Sequence, residues 1–525
     1  MLREGNVNGY EGRNMPDNSI NQKTQVIIVG AGPTGLSMAL QLLRFGIDFI
    51  IIEKNEITTP YSKALVVQAR TLEIFNETGI SEKAISEGRI TTAMNIFYGG
   101  KQKAAINIAG LGEGLSAFPF ALSLEQSKTE KLLADHLSEK GKEIQWKSRF
   151  TRFEQNNNGV VVYYENANRR EQIVEAEYLV GCDGASSLIR HQLGLTFQGD
   201  TVPKIFYVTD VTISSPVINK DELFIFLIKK GFVLFFPMEG NAHYRIVGIL
   251  PNKAEEDENF KFDDIETNLK EQMAIPLTFE EIRWFSTYKV HSRKANAFMS
   301  ERCFIAGDAA HIHTPAGGQG MNTGIQDAYN LAWKLAYTIK YKVDTSVLES
   351  FNTERMGNAT HLLKTTDRMF DILAGSGWFL NFIRPNILPQ LFSFVSRSAL
   401  LKKRIFPLIS EIGITYPDSA LTCKSKAGKI RAGDRMPYFV FSDGKDIFEY
   451  LKEPLYKILF FGTKENNHFE QIKSLKFPIG TFSFSEIPKA IFKSSHNLYI
   501  LLRPDNHISY IGKDLHKCIV QLKKI

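Results

Sequence analysis

The chain lacks most features that mark a disulfide-bonded, metal-binding or membrane-spanning protein. Its 525 residues include four cysteines, which lie far apart without a CxxC pair: Cys182, Cys303, Cys423 and Cys518. This spacing argues against a disulfide framework or a zinc site and predicts reduced thiols in a cytoplasmic protein. No apolar run has the length of a membrane span. Residues 1–22 are polar and have no apolar signal-peptide core, so we interpret them as a disordered extension.

The chain also has little excess charge and no internal repeat. Its 63 basic and 57 acidic residues give a formal net charge of +6, and the basic residues are scattered. Such a surface slightly favours anionic ligands without indicating nucleic acid. The length predicts two to four domains, and a hydrophobic fraction of 43% is typical of a folded globular protein.

One glycine-rich stretch predicts a nucleotide-binding βαβ unit. In TQVIIVGAGPTGLSMALQLLRFGIDFIIIEKN, a buried strand, a helix and a second strand follow each other. Gly30 permits the tight turn, Gly32 lets backbone approach a pyrophosphate, and Gly35 permits close packing of helix on strand. Glu53 ends the second strand and can bind an adenosine ribose. Further candidate contacts in this unit are Pro33, Thr34 and Lys54.

The βαβ unit alone leaves the ligand open. A nicotinamide cofactor and FAD present the same ADP half to such a loop, and a glycine turn without any ligand is the plain structural alternative. The agreement of strand, helix and acidic residue in register favours a dinucleotide over an empty turn.

Two later motifs favour a flavin. One is GCDGASSLIRHQLG, residues 181–194, and the other is RCFIAGDAAHIHTPAGGQGMN, residues 302–322. Asp308 follows a buried strand, where its carboxylate can bind ribityl hydroxyls. Pro315 fixes a bend, and glycines at 317, 318 and 320 let bare backbone lie against a flat ligand. Met321 and Asn322 then begin a helix, whose dipole favours the negative edge of a reduced flavin.

Together these motifs resemble the FAD-dependent aromatic hydroxylases, also called class A flavoprotein monooxygenases. This family includes p-hydroxybenzoate hydroxylase and phenol hydroxylase. Two further segments share the likeness, SKALVVQARTLEIF and LEQSKTEKLL, as does the run VHSRKANAF before the third motif. The resemblance implies that FAD is bound by the glycine motifs together with residues carried over from these segments: Arg70, Gln126, Asp183, Arg190, Asp308, Pro315, Gly318, Gly320, Met321 and Asn322.

The resemblance also implies an α/β fold with three parts. A Rossmann-like FAD-binding domain of the glutathione-reductase type would be discontinuous, formed by residues 23–199 and 290–415 with a helical extension. A sheet-rich substrate domain would be inserted at 200–289, and a thioredoxin-like domain would occupy 425–525. Because this last segment has no CxxC, we expect it to serve in packing or at an interface.

The activity implied by the resemblance is hydroxylation of a phenolic or polyketide-like aromatic substrate. NADPH or NADH would bind transiently as co-substrate and reduce the flavin, and O2 would add at C4a to form a hydroperoxide that transfers OH to the ring. The strands within Leu223–Met238 could provide an apolar wall, although core packing explains most of those side chains equally well. The partners expected are a small aromatic substrate and O2, with a homodimer as one assembly to test and no metal, nucleic acid or membrane span.

The catalytic residues are not identified by sequence. Candidates are Tyr61, His243 and Arg293, with Tyr244 and His291 as further candidates for a base, and an ordinary structural role is the alternative for each of them. His311 and His313 resemble a metal pair, but a flavin mechanism needs no metal. A halogenase or a reductase of the same fold stays open, although the WxWxIP motif of halogenases is absent. A non-catalytic flavin-binding or membrane-associated protein is the third reading, favoured by the apolar, basic stretch from Met369 to Ile409.

Overall fold

The computed structural model describes residues 22–60, 64–219, 221–228, 231–250, 261–314, 317–375, 378–462, 472, 475–493 and 497–525. The candidates Tyr61 and Pro315 lie outside these residues, as does the predicted extension up to residue 21.

The strands, in chain order, are β1 (Gln22–Val29), β2 (Phe49–Ile52), β3 (Val66–Val67), β4 (Arg89–Ile90), β5 (Ala93–Tyr98), β6 (Lys101–Asn107), β7 (Leu122–Ser123), β8 (Arg149–Asn156), β9 (Gly159–Glu165), β10 (Glu171–Gly181), β11 (Phe197–Ser214), β12 (Glu222–Ile228), β13 (Gly231–Pro237), β14 (His243–Ile249), β15 (Thr278–Ala295), β16 (Met299–Ser300), β17 (Cys303–Ile305), β18 (His311–Ile312), β19 (Lys426–Ala427), β20 (Ile430–Arg431), β21 (Tyr456–Phe461), β22 (Ile479–Phe484), β23 (Leu498–Leu502) and β24 (Ile508–Gly512).

The helices, in chain order, are α1 (Pro33–Arg44), α2 (Ala69–Thr78), α3 (Ser81–Glu87), α4 (Gln126–Glu139), α5 (Leu188–Gln192), α6 (Asp263–Met273), α7 (Gly320–Tyr341), α8 (Ser346–Ala374), α9 (Trp378–Asn386), α10 (Leu388–Arg397), α11 (Ala399–Ile409), α12 (Ile447–Tyr450), α13 (Lys489–Phe492) and α14 (Leu515–Leu522).

The first sheet is built around the predicted βαβ unit, which β1, α1 and β2 confirm. Its strand order is β16-β17-β10-β1-β2, and β1 pairs in parallel with both β2 and β10. β17 extends the parallel part beside β10, and β8 and β9 form an antiparallel extension that pairs with the start of β10. The carboxyl ends of β1, β10 and β17 therefore meet at one edge, where open α/β sheets bind ligands.

The second sheet has the order β18-β15-β11-β14-β13-β12-β5-β6. Residues 93–107, which form β5 and β6, lie inside the segment predicted for the first domain. They belong to the second sheet instead, because β5 pairs in parallel with β12. One face packs on α6 through an aromatic core that includes Phe224, Phe226 and Phe235. The opposite face packs on the end of α8 through Phe206 and Phe370, whose ring centroids lie 5.6 Å apart.

The C-terminal part contains a third sheet with the order β22-β21-β23-β24. β21 pairs in parallel with β22 and antiparallel with β23, and Cys518 beneath it is a free thiol. The sheet packs against α7 through Trp333 and Tyr337, which contact the ring of Tyr456. The C-terminal part thus packs against α7, which is consistent with the predicted packing role. Its assignment as a thioredoxin-like domain stays a prediction.

A buried ionic network joins this C-terminal part to α7 and α8. Arg503 donates to both carboxylate oxygens of Glu354, at 2.6 and 3.0 Å, and also to Asp505. Lys334 of α7 donates to Glu354 at 2.8 Å. Burial acts to raise the pKa of Glu354, but Arg503 and Lys334 outweigh it and hold that pKa well below its usual value. The network is almost fully enclosed, so each charge depends on its partners for solvation.

We expect Arg503→Met to lower the free energy of unfolding by about 3–5 kcal/mol, because it leaves Glu354 and Asp505 buried without their main cation. Urea denaturation would measure the loss. The matched control is Lys23→Met, which removes an ion pair with Glu175 whose side chains are 74% and 40% exposed. Its effect should stay within about 1 kcal/mol, and equal losses in the two variants would contradict the importance of the network.

Candidate active site

A groove of about 320 Å³ lies at the carboxyl edge of the first sheet. Three loops form most of its wall: the glycine loop after β1, the turn after β2, and the loop after β10. The residues they contribute include Gly30, Ala31, Gly32, Glu53, Lys54, Asn55, Cys182, Asp183, Gly184 and Ser186. The first two sequence motifs thus meet at one concave surface, as expected for loops that follow adjacent parallel strands.

The three glycines of the first motif differ in what confines them. A Cβ on Gly30, which has φ +105°, would lie 2.3 Å from the carbonyl oxygen of Cys182. A Cβ on Gly35 would lie 1.9 Å from the carbonyl oxygen of Gly30. A Cβ on Gly32 would meet no atom within 4 Å. Close packing within the protein therefore requires glycine at positions 30 and 35. At position 32 a side chain would meet no protein atom and would extend into the groove.

Glu53 presents a buried carboxylate at the floor of the groove. It accepts hydrogen bonds from the backbone N–H groups of Ala31, at 2.8 Å, and Asn55, at 2.9 Å. These bonds fix the carboxylate between the glycine loop and the turn after β2. Because a carboxylate oxygen can accept more than one hydrogen bond, Glu53 can still bind a ligand hydroxyl. Lys54 beside it is exposed along the same wall.

Asp183 is the least satisfied acid in the groove. Its Oδ2 accepts from the N–H of Ile189 at 3.3 Å, but its buried Oδ1 has no hydrogen-bond partner among the described residues. Burial raises the pKa of Asp183. A buried carboxylate oxygen without a donor is costly, so a ligand hydroxyl or N–H at this point would stabilise it.

Arg190 supports this loop from below. It is buried and donates to the carbonyl oxygens of Ala185, at 2.8 Å, and Ala309, at 2.9 Å. The guanidinium also lies 3.9 Å from the ring centroid of Phe197. Arg190 therefore connects the second motif with the third and is placed to position both loops.

The third motif is held by Asp327, a residue that none of the motifs marks. Asp327 is fully buried within α7, and its Oδ2 accepts from the N–H of Gly307 at 2.9 Å and from Nε2 of His311 at 2.7 Å. Its Oδ1 accepts from Arg355 at 2.6 Å. Burial acts to raise the pKa of Asp327, but Arg355 and His311 outweigh it and lower that pKa to about 2. Asp308, beside Gly307, is exposed at the loop surface.

Close packing fixes the same loop against α1. Gly307 has φ +61°, and a Cβ there would lie 2.4 Å from Oγ1 of Thr34. A Cβ on Gly324 of α7 would be equally close to that oxygen. Thr34 therefore fills the gap between the third motif and α7, and Pro33 begins α1 beside it.

The start of α7 is tied to the segment around α2 by Asn322. Its Oδ1 accepts from the N–H of Gln68 and the hydroxyl of Thr71, and its Nδ2 donates to Val66 and Gly318. The carboxamide thus has four protein partners and positions the helix N-terminus. Gly320 begins α7, followed by Met321, which is 9% exposed.

Two polar atoms next to this helix start lack partners within the described part of the chain. They are Nε2 of His313 and Oγ1 of Thr314, both buried. Burial lowers the pKa of His313 to about 4, so its imidazole is neutral at pH 7. His311 faces Asp327 instead, so the two histidines do not converge on one point.

Arg70 and Gln126 are not among the residues that line the groove. Arg70 is buried, and its guanidinium donates to Glu73 at 2.9 Å and to the carbonyl of Asp505 at 3.0 Å. Gln126 donates to Glu130 at 2.8 Å, and Glu130 lines the groove. Through these contacts Arg70 connects α2 to the C-terminal part, while Gln126 orients an acid of the groove wall. Their assignment as FAD contacts stays a prediction.

The candidate catalytic residues are spread over the second sheet. Nε2 of buried His243 and Nε of Arg293 have no partners among the described residues. Arg293 donates to Thr201, whose hydroxyl also pairs with His291 at 2.8 Å. Tyr244 lies in the aromatic core against α6, away from the first sheet, and donates to the carbonyl of Asn219. The structure therefore does not bring these groups together at one point.

The opposite face of this sheet, which we call the inner face, contains half-exposed apolar side chains. They alternate along the strands with the residues buried against α6: Leu234, Phe236, Trp284 and Tyr288. In the predicted wall Leu223–Met238, Phe224 and Phe226 of β12 point into the core against α6, whereas Leu234 and Phe236 of β13 belong to the inner face.

A buried ion pair that sequence reasoning missed lies on the inner face. Arg245 donates to both carboxylate oxygens of Asp210, at 2.7 and 2.8 Å, and Trp284 donates to the same carboxylate at 2.6 Å. Arg245 also reaches the carbonyl of Ala64 in the first domain, at 3.4 Å. The sequence feature that could have revealed this ion pair is one charged residue within each of two apolar strands, YVTDVTI and HYRIVGIL.

The residues of the groove fit a dinucleotide. The open side of Gly32 leaves room for a pyrophosphate, Glu53 can accept from a ribose, and the unpaired oxygen of Asp183 requires a donor. The N-terminus of α7 is not part of the wall of this groove, but its N–H groups and positive dipole end could bind another part of such a ligand. Within the described chain, no group of three or more His, Cys, Asp or Glu residues could hold a metal ion.

Comparison with known proteins identifies an FAD-binding domain over the part of the chain that contains the three motifs. A family model described as FAD binding domain matches residues 23–366. The chain is 29% identical over 495 residues to an uncharacterized aromatic compound monooxygenase, YhjG, of Bacillus subtilis, covering 93% of this chain and 94% of that protein. It is 32% identical over 402 residues to 6-methylpretetramide 4-monooxygenase of Streptomyces rimosus, covering 76% and 71% respectively.

Solved structures give the same picture of the fold. OxyS anhydrotetracycline hydroxylase from Streptomyces rimosus superposes with a TM-score of 0.75 at 27% identity, over 96% of this chain and 99% of that one. The flavin-dependent monooxygenase PieE, in complex with FAD and substrate, superposes with a TM-score of 0.80 at 18% identity, over 97% and 100%. The second similarity concerns the fold alone.

We expect Gly32→Trp to abolish retention of FAD while leaving the protein folded, since its side chain would enter the groove without meeting the protein. Flavin absorbance of the purified protein and its thermal unfolding midpoint would measure the two effects. Gly357→Trp is the matched control, because Gly357 also has open space but lies on an exposed part of α8. Full flavin occupancy in Gly32→Trp would remove the glycine loop from the site.

Glu411 is a buried acid that accepts hydrogen bonds from Thr323 and Gln326 of α7. Burial raises the pKa of Glu411 from 4.5 to about 8. The folded state therefore holds this proton more tightly than the unfolded chain, so the contribution to stability is complete below about pH 4.5 and is lost as pH rises through 8.

Thermal unfolding midpoints measured across this range should fall less steeply for Glu411→Gln, which keeps a neutral side chain at every pH. Glu139→Gln, at a side chain that is 59% exposed, is the control and should follow the parent protein. An unchanged slope in Glu411→Gln would show that Glu411 is not protonated in the folded protein.

Proposed function

The chain belongs to the family of FAD-dependent aromatic hydroxylases, and from this premise we propose that it hydroxylates a phenolic or polyketide-like aromatic ring. One observation carries the proposal: the glycine loop after β1, the turn at Glu53 and the loop that carries Asp183 line one groove at the carboxyl edge of the first sheet. This is the arrangement that a flavin dinucleotide requires, and a second sheet with a half-exposed apolar face lies beside it.

Residues of this chain would hold FAD along the groove. Glu53 would bind the adenosine ribose, Gly32 would admit the pyrophosphate, and Asp183 and Asp308 would accept from hydroxyl groups of the cofactor. The N–H groups at the start of α7 would stabilise negative charge at the flavin edge. When bound and reduced, FAD supplies the means to activate O2 and to transfer one oxygen atom to a substrate.

NADPH or NADH is the reductant that we propose. The sequence contains only one GxGxxG loop, which the FAD site accounts for. The nicotinamide cofactor would therefore bind transiently, without a βαβ unit of its own. The prediction that oxygen activation takes place at C4a of the flavin belongs to the same proposal, as does the use of O2 as co-substrate.

The inner face would form the substrate wall. Phe236, Trp284 and Tyr288 offer aromatic surfaces, which suit a planar aromatic ring and keep water away from the reaction. The Arg245–Asp210 pair adds a polar point at which a phenol or ketone oxygen could be oriented. The names of the relatives include a pretetramide, an anhydrotetracycline and pentachlorophenol, which supports an aromatic substrate class.

The catalytic base stays a prediction. A hydroxylase benefits from an acceptor that increases phenolate character in its substrate. Among the candidates, His243 and Arg293 each have a buried nitrogen without a partner in the described residues. His243 also shares strand β14 with Arg245 of the inner face, two residues away. Tyr61 is retained as a candidate on the sequence alone.

The test is oxidation of NADPH and NADH by the purified yellow protein across a panel of phenols and polycyclic aromatic ketones. We expect one class of compound to accelerate the reaction, and oxygen from labelled O2 to enter the product. The Gly32→Trp protein is the control and should show no activity.

A flavin-loaded protein that oxidises neither nucleotide with any panel member would contradict the hydroxylase proposal. Accelerated oxidation without labelled oxygen in the product would favour a reductase of the same fold.

A further inference from the structure

The helices that follow α8 carry an unusual share of exposed apolar side chains. Eleven large hydrophobic residues are exposed in the described chain, and six of them lie between residues 372 and 408. These six are Ile372, Phe382, Ile387, Leu391, Phe394 and Leu408. More than half of the exposed large hydrophobic residues thus lie in this one part of the described chain, and such a concentration is typical of a binding surface.

Three of these side chains form one stripe along α10 and the residue that precedes it, whose carbonyl accepts from the N–H of Leu391. Ile387, Leu391 and Phe394 follow each other at spacings of four and three residues, which places them on the same side of a helix. They are 47%, 54% and 65% exposed. We call these residues the apolar stripe. It is unpartnered within the described part of the molecule.

The opposite side of α10 is anchored to the protein. Phe392 packs into the apolar cluster formed by Ile96 and Ile106 on strands β5 and β6. At the other end, buried Arg384 of α9 donates to the carbonyl oxygens of Ile372 and Gly375 at the end of α8. α10 lies on the second sheet because its buried face matches the apolar side of β6. The stripe is therefore the outer face of a fixed helix.

The charge of this region has one sign. From Ile372 to Ser410 the sequence contains no Asp or Glu, although acids flank it at Asp371 and Glu411. Four cations cluster just after the stripe: Arg397, Lys402, Lys403 and Arg404. We call these the basic cluster. Arg397, Lys403 and Arg404 are exposed, Lys402 is half-exposed, and none of the four forms an ion pair within the described residues.

An open cleft of about 540 Å³ lies beside the basic cluster. It is lined by Arg397 and Lys402 together with Asn107, Gly110 and one acid, Glu113. The cleft places two cations next to backbone and amide groups at the junction of α10 and α11. This combination suits an anionic headgroup, since cations and amide donors both bind phosphate oxygens.

We propose that this face docks on an anionic phospholipid bilayer, with the apolar stripe at the acyl boundary and the basic cluster at the headgroups. The occupant follows from the pairing of the two features: a helix with an apolar stripe beside unpaired cations is the pattern of an interfacial helix. The attachment is peripheral, because no helix of the described residues is long and apolar enough to cross a membrane. The proposal is independent of the reaction that the flavin site performs.

Sedimentation of the full-length, FAD-loaded protein with lipid vesicles tests the proposal. Vesicles of phosphatidylcholine alone are compared with vesicles that also contain phosphatidylglycerol, at low and high salt. We expect binding that needs phosphatidylglycerol and weakens with salt.

Two variants separate the contributions. Leu391→Ser with Phe394→Ser should lower the partition coefficient about tenfold or more by removing apolar burial. Lys402→Gln, Lys403→Gln and Arg404→Gln together should lower it by about fivefold for each charge removed. All these side chains are at the surface, so flavin content and unfolding midpoint should not change.

The matched control carries the same kinds of substitution on α14 and the residues after it. It combines Val520→Ser, at a side chain that is 40% exposed, with Lys523→Gln and Lys524→Gln, at exposed lysines. This variant should bind vesicles like the parent protein. An equal loss in the control would overturn the proposal, because binding would then depend on overall charge and apolarity rather than on this face.

Two other outcomes would also overturn it. One is the absence of sedimentation with both kinds of vesicle. The other is a concentration-dependent dimer that Leu391→Ser with Phe394→Ser dissociates, without vesicle binding by the parent protein. That result would make the stripe an interface between two copies of this chain.

Discussion

The carboxylate of Asp327 is the interaction on which the arrangement of the site depends. It is buried without access to water, and it accepts from a backbone N–H and an imidazole of the third motif and from a guanidinium of α8. A buried carboxylate is stable only when such donors surround it. Each segment is thereby held at a fixed distance from α7, and the loop at Gly307 keeps its left-handed backbone beside Thr34.

The same network extends to the C-terminal part through two consecutive residues of α8. Arg355 reaches Asp327, Thr323 and Tyr416, on the side of the flavin loops. Glu354, one residue earlier, accepts from Arg503 and Lys334 on the side of the C-terminal sheet. One turn of α8 thus joins the cofactor loops to a segment that contributes no residue to the wall of the groove. This explains a packing role for a domain without a CxxC pair.

Local motifs were predictable from the sequence, and long-range partners were not. The βαβ unit, the loop after β10 and the helix start at Gly320 each occupy one short segment, where glycine spacing and apolar runs are informative. Arg70 illustrates the limit: its segment matched the family, yet its guanidinium is occupied by Glu73 and by a carbonyl 435 residues away. Likewise, residues 93–107 join the second sheet because β5 pairs with β12, a contact that no local pattern encodes.

The position of Glu354 has a consequence for the order in which the protein is made. Its carboxylate leaves the ribosome 149 residues before Arg503, its main partner. During that interval Lys334, Asn330 and later Ser419 are available to this carboxylate, but the guanidinium that binds both of its oxygens is missing, so burying it early would be costly. The interface is completed last, when nearly the whole chain has been synthesised. The ionic network that joins the cofactor loops to the C-terminal part is thus completed only when the C-terminal part has been made.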